Sequence, residues 1–372
     1  MASPGPDDLA HLAPTPEWEQ ALRETPRHLF IPDRAWTVNQ GLIDRTTDSD
    51  TWWATVYTDD AIVTQIDDGN TELTNDSPWA TLRWSSSNSA PNMVFAFLDL
   101  LDPYPGDRVL EIGTGTGWTT GLLSAHLGVG HITSVEVDDQ VSKQAAANLE
   151  RAGYAPNLVV GDGAEGWPDR APYDRVHVTC GVREVPYAWI EQTRPGGVIV
   201  APWAPDGSGG HKLRLVVANG EAVGRFHGNA AYMLLRAQRP ELLPIRGEAR
   251  ESTARVDPRR IARAGRGFEV ALAGLMPGVS AGGSDHPGGE HRYALRHLPS
   301  DSHALAVRES EGGEVEVTQR GPRDLWDEVE AAYLAWVGWG QPERGRFGVT
   351  VDASGQHVWL DTPDNRIREM VV

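Results

Sequence analysis

Three carboxylates follow short apolar runs at regular intervals along the chain: Glu111, Glu136 and Asp162. The first opens Glu111-Ile112-Gly113-Thr114-Gly115-Thr116-Gly117-Trp118. Glycines at 113, 115 and 117 let backbone approach a ligand where a Cβ would clash. The spacing is not the Gly-x-Gly-x-x-Gly of a dinucleotide site, because Trp118 fills the sixth position, and an acid beside the turn would repel a pyrophosphate. It suits a cation instead. A nucleoside carrying an amine and a sulfonium meets that requirement, so the expected cofactor is S-adenosyl-L-methionine, with S-adenosyl-L-homocysteine as product. Glu136, one βαβ unit on and beside Val137, is placed to accept from both ribose hydroxyls, and Asp162-Gly163 to meet the adenine amine. With Thr179 at a fourth strand end, the expected cofactor residues are Glu111, Gly113, Thr114, Gly115, Gly117, Glu136, Val137, Asp162, Gly163 and Thr179.

The elements that must position these groups are legible. Residues 118–127 read as a helix stopped by Gly128, and 139–152 as a second stopped by Gly153. Strands are expected at His131–Val137, Asn157–Gly161 and Asp174–Thr179. Acids at successive strand ends mark the crevice of an open parallel sheet. Pro195-Gly196-Gly197 leads into a further strand, and Lys212–Phe226 reads as a hairpin turned by Asn219-Gly220. Further on, 278–291 reads as a mobile glycine-rich loop and 347–361 as a hairpin. Residues 322–337 read as an amphipathic helix with Leu325, Val329, Tyr333, Trp336 and Val337 on one face and acids opposite, a stripe better suited to a core than to a binding site.

Several segments together resemble the protein-L-isoaspartate O-methyltransferase family: Pro26-Arg27-His28-Leu29-Phe30-Ile31-Pro32, Tyr57-Thr58-Asp59-Asp60, Ser89-Ala90-Pro91-Asn92-Met93, the glycine turn, Gly161-Asp162-Gly163 and Ala171-Pro172-Tyr173-Asp174. The resemblance covers roughly residues 25–235. It implies an α/β fold: a class I, Rossmann-like methyltransferase core with an N-terminal cap and an additional C-terminal α+β domain. The expected division is 1–88 cap and substrate region, 89–238 core, and 239–372 a peptide-recognition extension, with the methyltransferase sheet complete by the 212–226 hairpin. Three departures stand out: the long segment 61–88, Asn92 in place of a usual histidine, and the extension itself. All three resemble a bacterial subset that acts on ribosomally made, modified peptides, lanthipeptides or graspetides. There an aspartate carboxylate is methylated, and the ester collapses to aspartimide, which hydrolyses to isoaspartate. Gln319–Trp326 and Gly355–Asp361 resemble that subset's extension.

The implied chemistry asks little of acids and bases. An aspartate is ionised at neutral pH, so the work is to align carboxylate oxygen, methyl carbon and sulfur in a partly dry pocket. Hydroxyl donors matter most. Ser89, then Ser87, are the expected catalytic residues, and Tyr57, Ser86 and Asn92 the expected substrate contacts. The histidines form no metal-spaced cluster, so no metal is expected.

Composition narrows the class. The 372 residues suffice for two domains, and 40% hydrophobic with 23% charged residues fits a globular chain. Net charge −19 argues against nucleic acid as partner. The single cysteine, Cys180, allows no internal disulfide and reads as a buried small residue. No secretory signal or apolar span is visible, so the cytoplasm is expected. Most of the 14 tryptophans read as core, with a few left to line a peptide groove. The expected partner is a modified precursor peptide. The alternatives are a general isoaspartyl repair enzyme, a non-catalytic module that keeps the cofactor as a structural ligand, and a small-molecule methyltransferase.

Overall fold

A computed structural model describes residues 4–75, 77, 83–206, 209–241, 244–309 and 314–370. The N-terminal part comprises α1 (Pro16–Glu24), β1 (Arg34–Thr37), β2 (Gly41–Asp44), α2 (Ser49–Val56), β3 (Ile62–Ile66) and β4 (Trp84–Asn88). Its strands form an antiparallel sheet in the order β2-β1-β3-β4. The segment 61–88 thus contributes the antiparallel pair β3 and β4; Trp79 lies outside the described residues.

The central part contains α3 (Pro91–Leu101), β5 (Val109–Ile112), α4 (Trp118–Leu127), β6 (Ile132–Glu136), α5 (Asp139–Arg151), β7 (Asn157–Val160), β8 (Tyr173–Val178), α6 (Tyr187–Glu191), β9 (Thr193–Trp203), β10 (Gly210–Ala218) and β11 (Glu221–Ala230). Strands β9, β8, β5, β6 and β7 are neighbours and parallel. Every residue of β5 is buried, as a central parallel strand covered on both faces requires. Asn219 and Gly220 both have positive φ, which a type I′ turn between β10 and β11 demands.

Beyond these lie β12 (Arg250–Thr253), α7 (Pro258–Ala262), α8 (Arg266–Leu275), β13 (Val279–Asp285), β14 (His291–His297), β15 (Ser302–Arg308), β16 (Val315–Arg320), α9 (Leu325–Gly338), β17 (Phe347–Asp352) and β18 (Gly355–Leu360). Strands β12 to β16 make a second antiparallel sheet, ordered β12-β16-β15-β14-β13.

Three expectations are corrected here. The methyltransferase sheet is not complete at the 212–226 hairpin: β17 pairs with β11 and β18 with β17, giving nine strands ordered β18-β17-β11-β10-β9-β8-β5-β6-β7. The extension is thus threaded back into the core, and 239–372 does not separate from it. One apolar cluster runs from Ile199 and Leu213 through Val270 to Leu295 and Trp326. The glycine-rich segment 278–291 is not a loop but β13 and the turn into β14, because small residues leave the backbone free to pair. The acids opposite the apolar stripe of α9 are not all solvated either: Glu328 and Glu330 are buried, and Glu330 accepts from the Arg255 and Val256 amides and from Trp326 Nε1.

Candidate active site

The turn between β5 and α4 forms the floor of a crevice at the carboxyl ends of β5, β6 and β8. Gly113, Gly115 and Gly117 all take positive φ. A Cβ on Gly113 would stand 2.6 Å from Thr179 Oγ1, and one on Gly117 would press on Ala145 and Leu149 at 3.3 Å. Glycine is thus required for the turn to close on β8 and α5. Thr179 Oγ1 donates to Ile112 O at 3.0 Å, pinning the two strand ends together. Glu136 accepts from the Gly115 amide at 2.9 Å and the Asp138 amide at 3.1 Å. Burial pushes its pKa above 4.5, against the pull of those two amides. The crevice spans about 830 Å³, part of it open to solvent.

Strand β4 supplies the facing wall, and Ser85 to Ser89 all line the cavity. Their placement depends on Arg27, which is completely buried. Its guanidinium donates to Asn88 Oδ1 (2.7 Å), the carbonyls of Val56 and Thr58 (3.0 Å each), Asp60 O (2.7 Å) and Ser89 O (3.0 Å). Burial pushes its pKa down to about 9, so it stays charged at neutral pH. Asn88 Nδ2 in turn donates to Thr116 Oγ1 at 2.9 Å, which ties the serine strand to the glycine turn. One arginine thus sets the spacing between the two walls. Tyr232, its hydroxyl pushed up by burial, meets the Ser89 side chain.

A third wall comes from the segment after β11, where Arg236 and Arg239 line the cavity. Both reach Asp68 beyond β3, at 3.1 and 2.6 Å, and Arg236 also reaches Asp138 at 3.3 Å. The Asp68 amide donates to Ser85 Oγ, whose hydroxyl donates to Gln65 Oε1. The segment 61–88 is thereby clasped to the rim of the crevice. Neither arginine nor Asn88 was singled out in the sequence, since none belongs to a local motif, and Thr116 stands in the glycine turn without having been given a role. Arg27 stands in one, but its role depends on partners up to 62 residues away.

Of the residues expected from sequence, the cavity lining brings together Gly113, Thr114, Gly115, Glu136, Val137, Gly163, Thr179, Ser86, Ser87 and Ser89. Five others lie elsewhere. Glu111 is fully buried outside the lining, accepting from Ser134 Oγ at 2.6 Å and from Thr120 Oγ1, so it braces α4 and β6 and does not face a cationic ligand. Gly117 contributes its fold to the turn but no surface. Asp162 is exposed and caps its own turn through the Ala164 amide at 2.9 Å. Tyr57 is buried in the cap, its hydroxyl on His28 Nδ1 at 2.6 Å and its ring stacked on Trp53. Asn92 is exposed at the start of α3, its amide held by Asp59. Cys180 lines the crevice with its thiol pushed up by burial, which disfavours a thiolate nucleophile.

A parallel sheet with this turn, an acid ending the next strand and an antiparallel hairpin at its edge define a class I S-adenosyl-L-methionine-dependent methyltransferase fold. More specifically, the chain belongs to the protein-L-isoaspartate(D-aspartate) O-methyltransferase family, whose model matches residues 43–237. Its cofactor is S-adenosyl-L-methionine. The Cβ-free turn and a buried carboxylate, Glu136, lining the crevice fit that group.

The chain is 42% identical over 115 residues to a protein-L-isoaspartate O-methyltransferase of Pyrococcus horikoshii, covering 31% of this chain and 52% of that one. It is 38% identical over 152 residues to one from Methanopyrus kandleri (40% and 66%). With a second such protein of Archaeoglobus fulgidus it shares 31% over 185 residues (49% and 68%). It thus spans about half to two thirds of these relatives' lengths. A solved protein-L-isoaspartate O-methyltransferase is alike in fold over 96% of this chain and 100% of its own, with TM-score 0.56 and 20% identity.

Proposed function

We propose that this chain is a carboxyl O-methyltransferase acting on an aspartyl-type carboxylate in a peptide. The observation that carries this reading is the run of serines at 85–89 facing the glycine turn, in a crevice with no imidazole among the described residues that line it. Such a site orients an already ionised nucleophile; it is not built to remove a proton. When bound, the cofactor supplies the methyl group. Glu136 holds its hydroxyls, Ser89 donates to the acceptor carboxylate or the peptide backbone beside it, and Arg27 holds Ser89. Water excluded by the bound cofactor and peptide favours attack, because carboxylate and sulfonium lose their charges together. The methyl ester then reacts without further help: the following backbone nitrogen attacks, methanol leaves and aspartimide forms.

The finer reading is a modified, macrocyclic ribosomal peptide as substrate, in the manner of the lanthipeptide and graspetide subset. It is supported by the resemblance of the extension and by the packing of that extension against the methyltransferase core. General repair of isoaspartyl residues is the second reading, favoured by the names of the relatives. The two separate in one assay. The enzyme is given the cofactor with a linear isoaspartyl peptide, a crosslinked aspartyl peptide or its linear precursor, and products are followed by mass spectrometry. Gain of a methyl group, then net loss of one water, on the crosslinked peptide alone supports the finer reading. Methylation of the isoaspartyl peptide alone overturns it in favour of repair, and no methylation of any of the three overturns both.

A further inference from the structure

The rim of the cofactor crevice carries a pair of arginines that methyl transfer itself does not use. Arg236 and Arg239 line the same crevice as Ser85 to Ser89. Their segment is fixed to the core by contacts of its own. The Leu235 amide donates to Gly181 O at 2.7 Å. The Gln238 side chain accepts from the Arg183 amide at 2.6 Å and donates to Glu184 O at 2.7 Å. These bonds hold the two guanidiniums at the crevice independently of what pairs with them.

Their occupant is the chain's own Asp68. One oxygen, Oδ1, takes both arginines, at 3.1 Å from Arg236 and 2.6 Å from Arg239. Arg236 also reaches Asp138 at 3.3 Å, whereas Arg239 pairs with no other carboxylate among the described residues. The fit is incomplete. Neither arginine meets Asp68 as a bidentate fork, the geometry in which a guanidinium holds a carboxylate best. Arg236 Nε is buried with no hydrogen-bond partner among the described residues. Asp67 and Asp68 both stand in the left-handed region, at φ 49° and 54°, which aspartate tolerates at a cost. The turn that presents them is tied to the serine strand: the Asp68 amide donates to Ser85 Oγ at 3.1 Å and the Asp67 amide to Arg83 O at 2.7 Å.

We propose that Arg236 and Arg239 recognise an acidic side chain of the substrate peptide, and that Asp68 is a stand-in which this side chain displaces. One carboxylate leaves the arginines as another arrives, so the charge of the crevice is unchanged by the exchange. The incoming group makes the fork that Asp68 does not, and the turn is relieved of its left-handed residues. The spacing follows from β4. Asp68 is bound at Ser85, and Ser89 donates at the acceptor carboxylate, four extended residues further on, which is about 13 Å. A peptide that places its acceptor at Ser89 and runs beside this strand therefore brings a residue about four positions away to the arginines. The site rests on the peptide-methyltransferase reading and narrows its substrates to peptides with an acidic residue at that distance.

The test uses the full chain saturated with S-adenosyl-L-homocysteine and the three peptides of the methylation assay. Each is fluorescein-labelled and made with glutamate, or with glutamine, four residues to either side of the acceptor; anisotropy reads binding. Asp68→Asn keeps the turn and removes the competitor, so the glutamate form of at least one peptide should bind at least about tenfold more tightly than its glutamine form. The wild type should show the same preference, smaller because Asp68 has to be displaced. Arg239→Met should abolish it, and high salt should reduce it. No binding or equal binding of the two forms to Asp68→Asn on all three peptides, a preference that survives Arg239→Met, or weaker glutamate binding to Asp68→Asn than to the wild type overturns the proposal. A loss of S-adenosyl-L-homocysteine affinity of about tenfold also overturns it: in Arg239→Met the arginines then serve the cofactor's own carboxylate, and in Asp68→Asn the aspartate is a structural tie. Asp68→Asn leaves both arginines in place, so the outcome does not depend on the folding of Arg239→Met. Methylation keeps the two readings apart. Methylation without a glutamate preference in binding sinks the recognition site and leaves the activity. A glutamate preference in binding without methylation of any peptide does the reverse.

Discussion

Replacing Glu136 tests the cofactor assignment most directly, because the structure defines what the carboxylate already does. Two of its acceptor positions are taken by the Gly115 and Asp138 amides, at 2.9 and 3.1 Å. A carboxylate has about four such positions, so two remain for a pair of neighbouring hydroxyls. Glu136→Gln keeps the shape and one oxygen but loses the charge. A charge-assisted hydrogen bond is worth about 1.5–3 kcal/mol, so losing one weakens binding by about 10- to 150-fold, and Glu136→Ala should weaken it further. The pH dependence has a definite sign. Burial holds the free carboxyl's pKa above 4.5, while ligand hydroxyls favour the ionised form. Binding must then release a proton once pH drops below the raised pKa, and affinity falls by about tenfold per pH unit there. Wild-type affinity is lost on acidification beginning above the range of a free glutamate, whereas Glu136→Gln shows no such loss. Calorimetry with S-adenosyl-L-homocysteine across pH reads both effects. Unchanged affinity in Glu136→Gln and Glu136→Ala would refute the placement of the cofactor hydroxyls.

Two further substitutions probe the facing wall. Ser89→Ala should slow single-turnover methyl transfer by at least tenfold at saturating peptide while leaving cofactor affinity within twofold; an unchanged rate removes Ser89 from the mechanism. Arg27→Met strands the carbonyls of Val56, Thr58, Asp60 and Ser89 and the Asn88 side chain, each unsatisfied group costing about 1–3 kcal/mol, so urea unfolding should show a loss of at least about 3 kcal/mol; a loss below about 1 kcal/mol would show that the cap does not depend on Arg27.

Local sequence was sufficient for the βαβ core. Glycines at 113, 115 and 117, apolar runs covered on both faces and an acid ending β6 act within a few residues of one another, so turn, crevice and Glu136 were legible before any contact was known. The Asn219-Gly220 hairpin was legible for the same reason. Glu111 shows the limit: strand-end position was read correctly as position, but whether a carboxylate faces the crevice depends on the competing donors nearby, and Ser134 and Thr120 hold Glu111 in the core. Glycine-rich 278–291 misled because small residues signal freedom of the backbone and not how that freedom is used; β14 uses it to pair. What only the tertiary structure decided are the long-range closures: Arg27 joining cap to serine strand, Asp68 clasped by Arg236 and Arg239, and β17 returning to β11 across an entire second sheet. Each is a pairing between groups distant in the chain, whose free energy depends on which partners folding brings within hydrogen-bond distance, and no local pattern carries that information.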